Sequence, residues 1–245
     1  MTTGAREMPK TAMLLAAGYG MRMRPLSDER PKCLLPVAGR ATIDRALDHL
    51  ESAGVETVVV NLHYKAAMIR AHLADRDSPR LVFSDESEGL LDTGGGVARA
   101  LGALGPKPFF AVNAISLWSD AGANSLHRLA ETFAPDSMDA LLLLHGVATA
   151  IGYDGVGDFQ IAADGGLARR QQGETAAHVF IGVQILRPEL FRGCPAGPFS
   201  LNLLYDQAQA AGRLFGLRHD GAWMNLKTPD ALAAAERALS GAETG

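Results

Sequence analysis

The residues whose types and spacing could do chemistry concentrate in one stretch, Leu14 to Arg40, which reads LLAAGYGMRMRPLSDERPKCLLPVAGR. A short apolar run, Met13 to Ala17, ends in glycines and reads as a buried strand. Gly18 and Gly20 follow it, then Arg22 and Arg24, then Pro31-Lys32. Glycines after a strand let backbone N–H groups close on a phosphate chain. Arginine and lysine add fixed cationic donors to such a cradle. The loop is not a dinucleotide fingerprint, because GYGMRM lacks the third glycine of GxGxxG. Nor is it a P-loop, because no GK[ST] follows. A glycine pair alone is equally compatible with a tight strand-to-helix turn. Glycines, two arginines and Pro-Lys within fifteen residues point more specifically to an anionic ligand.

The elements that must position these residues alternate along the chain. Thr42 to Ser52 places Ile43, Ala46, Leu47 and Leu50 on one helical face and is followed by Gly54 where a C′ glycine belongs. Val58 to Leu62 is a β-branched strand, Ala66 to Leu73 a helix and Leu81 to Phe83 a short strand. Val97 to Leu104 reads as a helix opened by a glycine run, Phe109 to Asn113 as a strand, Ser125 to Phe133 as a helix and Leu141 to Leu144 as a strand. That alternation predicts an α/β protein, a mostly parallel sheet with helices on both faces. The pattern then changes. Asp158–Ile161 and Leu167–Arg170 flank the hairpin signal Asp164-Gly165-Gly166. Val179–Leu186 and Arg213–Arg218 read as strands, and Leu201–Ala211 as a helix that Ser200 caps. Trp223–Leu226 follows a turn at Asp220-Gly221, and the last helix starts at Thr228-Pro229-Asp230. We expect residues 1–9 as an N-terminal tail and residues 10–240 as a single domain.

With 245 residues, 20% charged and 47% hydrophobic, the chain has the composition of a packed globule, which argues against disorder or a collagen-like structure. Its longest mainly apolar stretch, Ala140 to Gly152, is interrupted by His145 and is short of the ~20 residues a membrane helix needs. The beginning of the chain has too short an apolar run for a secretory signal. Cys33 and Cys194 stand far apart without metal spacing, and read as reduced thiols in a cytoplasmic protein. Residues 1–40 hold seven basic and three acidic side chains in a chain of net charge −4. That local excess suits a small anionic ligand, whereas a nucleic-acid surface would need an overall basic domain. His63, His145 and His178 read as satisfied polar residues at strand ends, since no HxH or HxxxH spacing occurs. Trp118 and Trp223 read as packing residues at the rim of a cleft.

The segment Leu15–Arg40 resembles the signature of sugar-phosphate nucleotidyltransferases, broadly LAAGxGxRMxPLTxxxPKxLLPVxGKP. The resemblance continues through Asn61-Leu62-His63-Tyr64, LLDTGGGVARAL at Leu90–Leu101, HVFIGVQILRPELF at His178–Phe191 and GAWMNLKTPDAL at Gly221–Leu232, in the expected order over almost the whole chain. The short length and Thr93-Gly94-Gly95-Gly96 look most like the bacterial subgroup that uridylylates N-acetylmuramate 1-phosphate in cell-wall sugar recycling. The resemblance implies a Rossmann-like, GT-A type fold with a mixed, mostly parallel sheet. It implies a nucleoside triphosphate and a sugar 1-phosphate as partners. Ala16, Ala17, Gly18 and Gly20 would hold the nucleotide, Arg22 the triphosphate, and Lys32 would neutralise the α-phosphate during attack. Asn61 would lie beside the nucleotide, and Gly94 and Gly95 would let backbone approach the base or ribose. Asn113 and Glu174 would face the sugar phosphate. Gly173-Glu174-Thr175 lacks the lysine common after that glutamate, so Arg169 or Arg170 would supply the charge.

The family implies Mg²⁺ held by two aspartates, and here the chain departs from it. Ile115 occupies the first aspartate position, in Val112-Asn113-Ala114-Ile115. Asn225 occupies the second, in Trp223-Met224-Asn225-Leu226-Lys227, where Lys227 replaces a glycine. An isoleucine cannot ligate a hard cation, and a neutral amide is a weak substitute for a carboxylate. Asp92 and Asp120 are the nearest other carboxylates in sequence. Two functions of different class follow: a sugar-1-phosphate nucleotidyltransferase whose Mg²⁺ is bound mostly through the nucleotide, and a weakened homologue that binds a nucleotide or sugar nucleotide as a regulatory or scaffold subunit. The base stays open among UTP, CTP and GTP, with UTP favoured by the subgroup. Monomer and homodimer are both compatible with the pattern.

Overall fold

The computed structural model describes residues 7–242. Strand β1 (Thr11–Leu15) runs into the glycine loop, a turn of 3-10 helix and the short helix α1 (Leu26–Glu29). A small hairpin of β2 (Pro36–Val37) and β3 (Arg40–Ala41) leads into α2 (Thr42–Ser52), β4 (Thr57–Leu62), α3 (Ala66–His72) and β5 (Arg80–Asp85). Then come α4 (Asp92–Leu104), β6 (Phe109–Asn113), β7 (Leu117–Ser119), α5 (Ser125–Thr132) and β8 (Ala140–Gly146). The final third contains the hairpin β9 (Phe159–Ile161) and β10 (Leu167–Arg169), β11 (His178–Leu186), α6 (Leu201–Ala210), β12 (Leu214–Arg218), β13 (Ala222–Met224) and α7 (Pro229–Ala242).

Nine strands form one mixed sheet. β5, β4, β1 and β6 are parallel neighbours, β11 runs antiparallel between β6 and β8, and β12 pairs parallel with β8. The strands are apolar on both faces because both are covered. Ala12 and Leu14 pack with Ile43, Leu47, Ile69, Leu126 and Leu129 beneath α2, α3 and α5. Met13, between them, packs on the other face with Val97, Leu104, Leu201, Leu204 and Tyr205 from α4 and α6. A third cluster joins Val37 of β2 to Leu117, Met224, Leu226 and Ala235. It ties the segment after Lys32 to the segment before Lys227.

The expected order of elements holds, with three corrections. Helix α4 begins at Asp92, so the glycine run lies inside its first turns rather than ahead of it. The expected strand at Trp223–Leu226 is Ala222–Met224. Of the expected tail, residues 1–6 lie outside the described residues, while Met8 packs against the core and Pro9 is buried. Among the described residues no helix is long and apolar enough to cross a membrane.

Candidate active site

The glycine loop sits at the carboxyl end of β1, where open α/β sheets take their ligands. Asn61, at the carboxyl end of β4, locks its base: the Asn61 side-chain oxygen accepts the Ala16 N–H at 2.7 Å. Further along, the Ala17 carbonyl accepts the Tyr64 N–H at 3.3 Å, and the Ser27 hydroxyl donates to the Gly20 carbonyl at 2.9 Å. Gly20 has φ +68, in the left-handed region that favours glycine. A Cβ there would also lie 3.2 Å from the side chains of Lys32 and Ser27. One at Gly18 would lie 3.7 Å from the Lys32 Nζ, so the loop arches over that lysine. Among the described residues the N–H groups of Gly18, Tyr19 and Gly20 donate to no protein acceptor.

Three cations share this end. Burial holds the Lys32 ammonium below the ordinary lysine value of 10.5, and the charges of Arg22 and Lys227 push the same way. Burial likewise lowers Lys227, with Arg22 adding to the shift and the Asp158 carboxylate opposing it. Among the described residues none of Arg22, Lys32 and Lys227 forms an ion pair. Cys33, next to Lys32, is no counterion, because burial pushes its thiol up to about 12. The structure thus brings Ala16, Ala17, Gly18, Gly20, Arg22 and Lys32 together, as the sequence led us to expect, and adds Lys227.

Other residues land differently. Asn61 spends its amide nitrogen on the Glu86 carboxyl group, donating at 2.7 Å, so both ends of its side chain are engaged by protein. Glu86 is fully buried and also accepts the Leu91 N–H at 3.1 Å. Sequence reasoning missed Glu86, an isolated residue between a strand and a helix with no motif around it. Gly94 and Gly95 do permit a close approach, but the approaching group is the chain's own. Both N–H groups donate to the Phe199 carbonyl, at 2.8 and 3.1 Å. A Cβ at Gly94 would fall 2.3 Å from the Phe199 ring, and one at Gly95 would fall 2.4 Å from the Gly197 carbonyl. Gly96 leaves room for the Asn61–Glu86 pair, whose atoms would be 3.0 and 2.8 Å from a Cβ there.

Arg170 is not a free cation for a sugar phosphate, because its guanidinium donates to the carbonyls of Gly157, Gln171 and Glu174 at 3.0–3.2 Å. Arg169 is held by Asp206 through two bonds of 2.7 Å. The Glu174 carboxylate accepts the Gln171 N–H at 3.1 Å within the same loop, so these residues brace one another. Asn113 lies at the end of β6, its amide against Gly182, where a Cβ would sit 2.5 Å away. His63, His145 and His178 each leave a buried Nδ1 without a partner in the protein, contrary to the expectation that they are satisfied. Trp118 and Trp223 are buried packing residues, Trp118 stacked on His49 at 4.0 Å. Ser200 caps α6, accepting the Asn202 N–H at 3.3 Å.

The donor set does not suit a resident divalent ion. Ile115 is half-buried against the apolar core. Asn225 is buried, donates its side-chain N–H to the Gly152 carbonyl at 2.8 Å, and precedes the Lys227 ammonium by two residues. Asp120 accepts the Ser125 hydroxyl at 2.5 Å, and Asp92 accepts the Thr93 N–H at 2.6 Å. Among the described residues no three His, Cys, Asp or Glu side chains converge. A magnesium-type ion needs oxygen ligands that include carboxylates. A cavity of about 790 Å³ lies at the opposite end of the sheet, bounded by Lys10, Leu104, Pro108 and Phe133, and contributes nothing to this site.

Comparison with known proteins bears on what the site does. A family profile described as a MobA-like NTP transferase domain matches residues 12–115. The chain is 43% identical, over 96% of its length and 98% of the relative's, to an N-acetylmuramate alpha-1-phosphate uridylyltransferase of Caulobacter vibrioides. It is 35% identical, over 94% of its length and 98% of the relative's, to a protein of the same name from Neisseria meningitidis serogroup B. Two solved structures share its fold at 16% identity. One is a UDP-glucose pyrophosphorylase complexed with UDP-glucose (TM-score 0.77, covering 95% of this chain and 99% of that one). The other is a putative glucose-1-phosphate thymidylyltransferase from Bacillus anthracis (TM-score 0.79, covering 93% and 94%).

Proposed function

Since the chain belongs to the N-acetylmuramate α-1-phosphate uridylyltransferase family of sugar-phosphate nucleotidyltransferases, we propose that it transfers the uridylyl group of UTP to N-acetylmuramate α-1-phosphate. A phosphate oxygen of the sugar 1-phosphate attacks the α-phosphorus in line. The bond from that phosphorus to the bridging oxygen breaks, and pyrophosphate leaves with the electron pair. Such a reaction needs positioning and charge neutralisation more than covalent help. The unpaired N–H groups of Gly18, Tyr19 and Gly20 face phosphate oxygens, Lys32 beneath them neutralises charge building on the α-phosphate, and Arg22 holds the outer phosphates. Glu86 and Asn61 act indirectly, by fixing the strand end from which the loop departs. Asn113 and the loop of Glu174 and Arg170 border the sugar phosphate, the latter as a braced wall rather than a charged receptor. The reaction belongs to cell-wall sugar recycling in the cytoplasm.

One observation carries this reading: 43% identity along 96% of the chain, with the glycine–arginine–lysine loop built over a half-buried lysine. The test is pyrophosphate release from UTP, CTP and GTP with N-acetylmuramate α-1-phosphate and other sugar 1-phosphates. Release with UTP and the N-acetylmuramate ester supports the assignment. Nucleotide binding without release from any pair would overturn it.

A further inference from the structure

The two walls of the phosphate end differ in charge. On the β7–β13 side stand Ile115 and Asn225, neither of them a carboxylate, and the residue two beyond Asn225 is lysine. Packing ties that lysine's strand end to the segment that follows Lys32. Val37, five residues after Lys32, and Leu226, directly before Lys227, are buried in one cluster with Met224 and Leu117. Asn225 is pinned from both sides, its N–H donating to the Ile151 carbonyl at 2.9 Å and its side-chain amide to Gly152, so Lys227 leaves a fixed point. Its stem is half-buried, and Arg22 and Lys32 are near enough for their charges to act with it. Among the described residues the acid whose charge acts on it, Asp158, already accepts the Phe180 N–H at 3.0 Å. A site with three cations and, among the described residues, no ion pair between them and protein is built for a polyanion rather than for a divalent cation.

We propose that Lys227 is a phosphate-binding residue of this chain, its ammonium standing beside Lys32 and Arg22 against the triphosphate, so that nucleotide binding needs no divalent ion held by protein side chains. The inference rests on the nucleotidyltransferase reading above and gives that site a charge source of its own. The ammonium replaces only charge. It offers no open coordination position, so this chain stabilises the triphosphate by hydrogen bonding and field alone.

The test is the affinity of full-length protein for UTP by calorimetry, in excess EDTA and in excess Mg²⁺, with uridine as the phosphate-free control. Wild type is expected to bind UTP in EDTA within about threefold of its affinity in Mg²⁺. Lys227→Gln should weaken binding in EDTA by about tenfold or more, while Lys227→Arg restores most of it. Uridine affinity should not follow the variants. Lys107→Ala, which removes an exposed lysine paired with Glu7, should change nothing. Thermal unfolding of each variant checks that the fold is intact. Binding of UTP only in Mg²⁺, or a Lys227→Gln protein that binds UTP in EDTA like wild type, overturns the proposal and leaves the uridylyltransferase reading standing. Failure to bind UTP under either condition overturns both.

Discussion

The glycine loop and the β7–β13 wall face the same phosphate end and are built on opposite terms. The loop keeps the sequence pattern of its family from Ala16 to Lys32 and rests on a buried polar brace, Asn61 with Glu86. The facing wall carries isoleucine and asparagine where the resemblance leads one to expect carboxylates, with a lysine close behind. The difference teaches that the fold specifies where charge is needed, not which group supplies it. Backbone donors are fixed by the strand and its turn, whereas the charges on the second wall are single side chains that can be replaced without refolding the chain.

The comparison breaks most severely at Lys32. Lys32→Ala should cost about 2–4 kcal/mol of transition-state stabilisation, a fall in turnover of about 30- to 1000-fold, with Tm nearly unchanged. Steady-state kinetics beside thermal unfolding check it, and unchanged turnover would remove Lys32 from the machinery. Next comes the brace. Glu86→Ala strands the Asn61 amide and the Leu91 N–H without an acceptor, and should destabilise the fold by about 3 kcal/mol in urea unfolding. A loss under about 1 kcal/mol would show that water replaces the carboxyl group. Gly94→Ala should cost about 1–3 kcal/mol, because the Phe199 ring occupies the space its Cβ needs. If that variant folds at wild-type stability but loses UTP affinity, the glycine serves the nucleotide after all.

The smallest effect is one of pH. Lys32 and Lys227 have folded values depressed below 10.5. Below the depressed values both are protonated in folded and unfolded chains alike, and the fold bears the cost of burying their charges. Between the depressed values and 10.5 the unfolded chain holds more protons, so stability of the ligand-free protein rises with pH. UTP affinity should fall over the same interval as the ammoniums are lost. Tm and UTP affinity followed through that interval should therefore move in opposite senses, Tm rising as affinity falls, and Lys227→Gln should flatten both curves. Parallel movement would contradict the charge account.

Much of this was legible in the chain. Short apolar and β-branched runs, helical stripes and Gly54 gave the element order, and the spacing of Gly18, Gly20, Arg22 and Lys32 located the phosphate end. What the sequence hid are contacts between distant segments. Nothing local says that Phe199 closes over Gly94, or that Glu86 braces Asn61 across two strands. The pairing of Arg169 with Asp206 and the turning of Arg170 onto three carbonyls are likewise decided by β10, α6 and the loop before β11 together. A basic residue near a motif reads as available until its acceptors are known.

The exchange of carboxylates for a lysine is tested most directly by titrating nucleotide-free protein with Mn²⁺ and following free ion by electron paramagnetic resonance. Two unit charges about 4 Å apart at an effective dielectric near 20 interact by about 4 kcal/mol, enough for each carboxylate to govern occupancy. Wild type should leave the Mn²⁺ signal unattenuated, while Ile115→Asp/Asn225→Asp/Lys227→Gly should bind one ion, more tightly than either carboxylate restored alone. Stoichiometric Mn²⁺ binding by the wild-type chain would contradict the account.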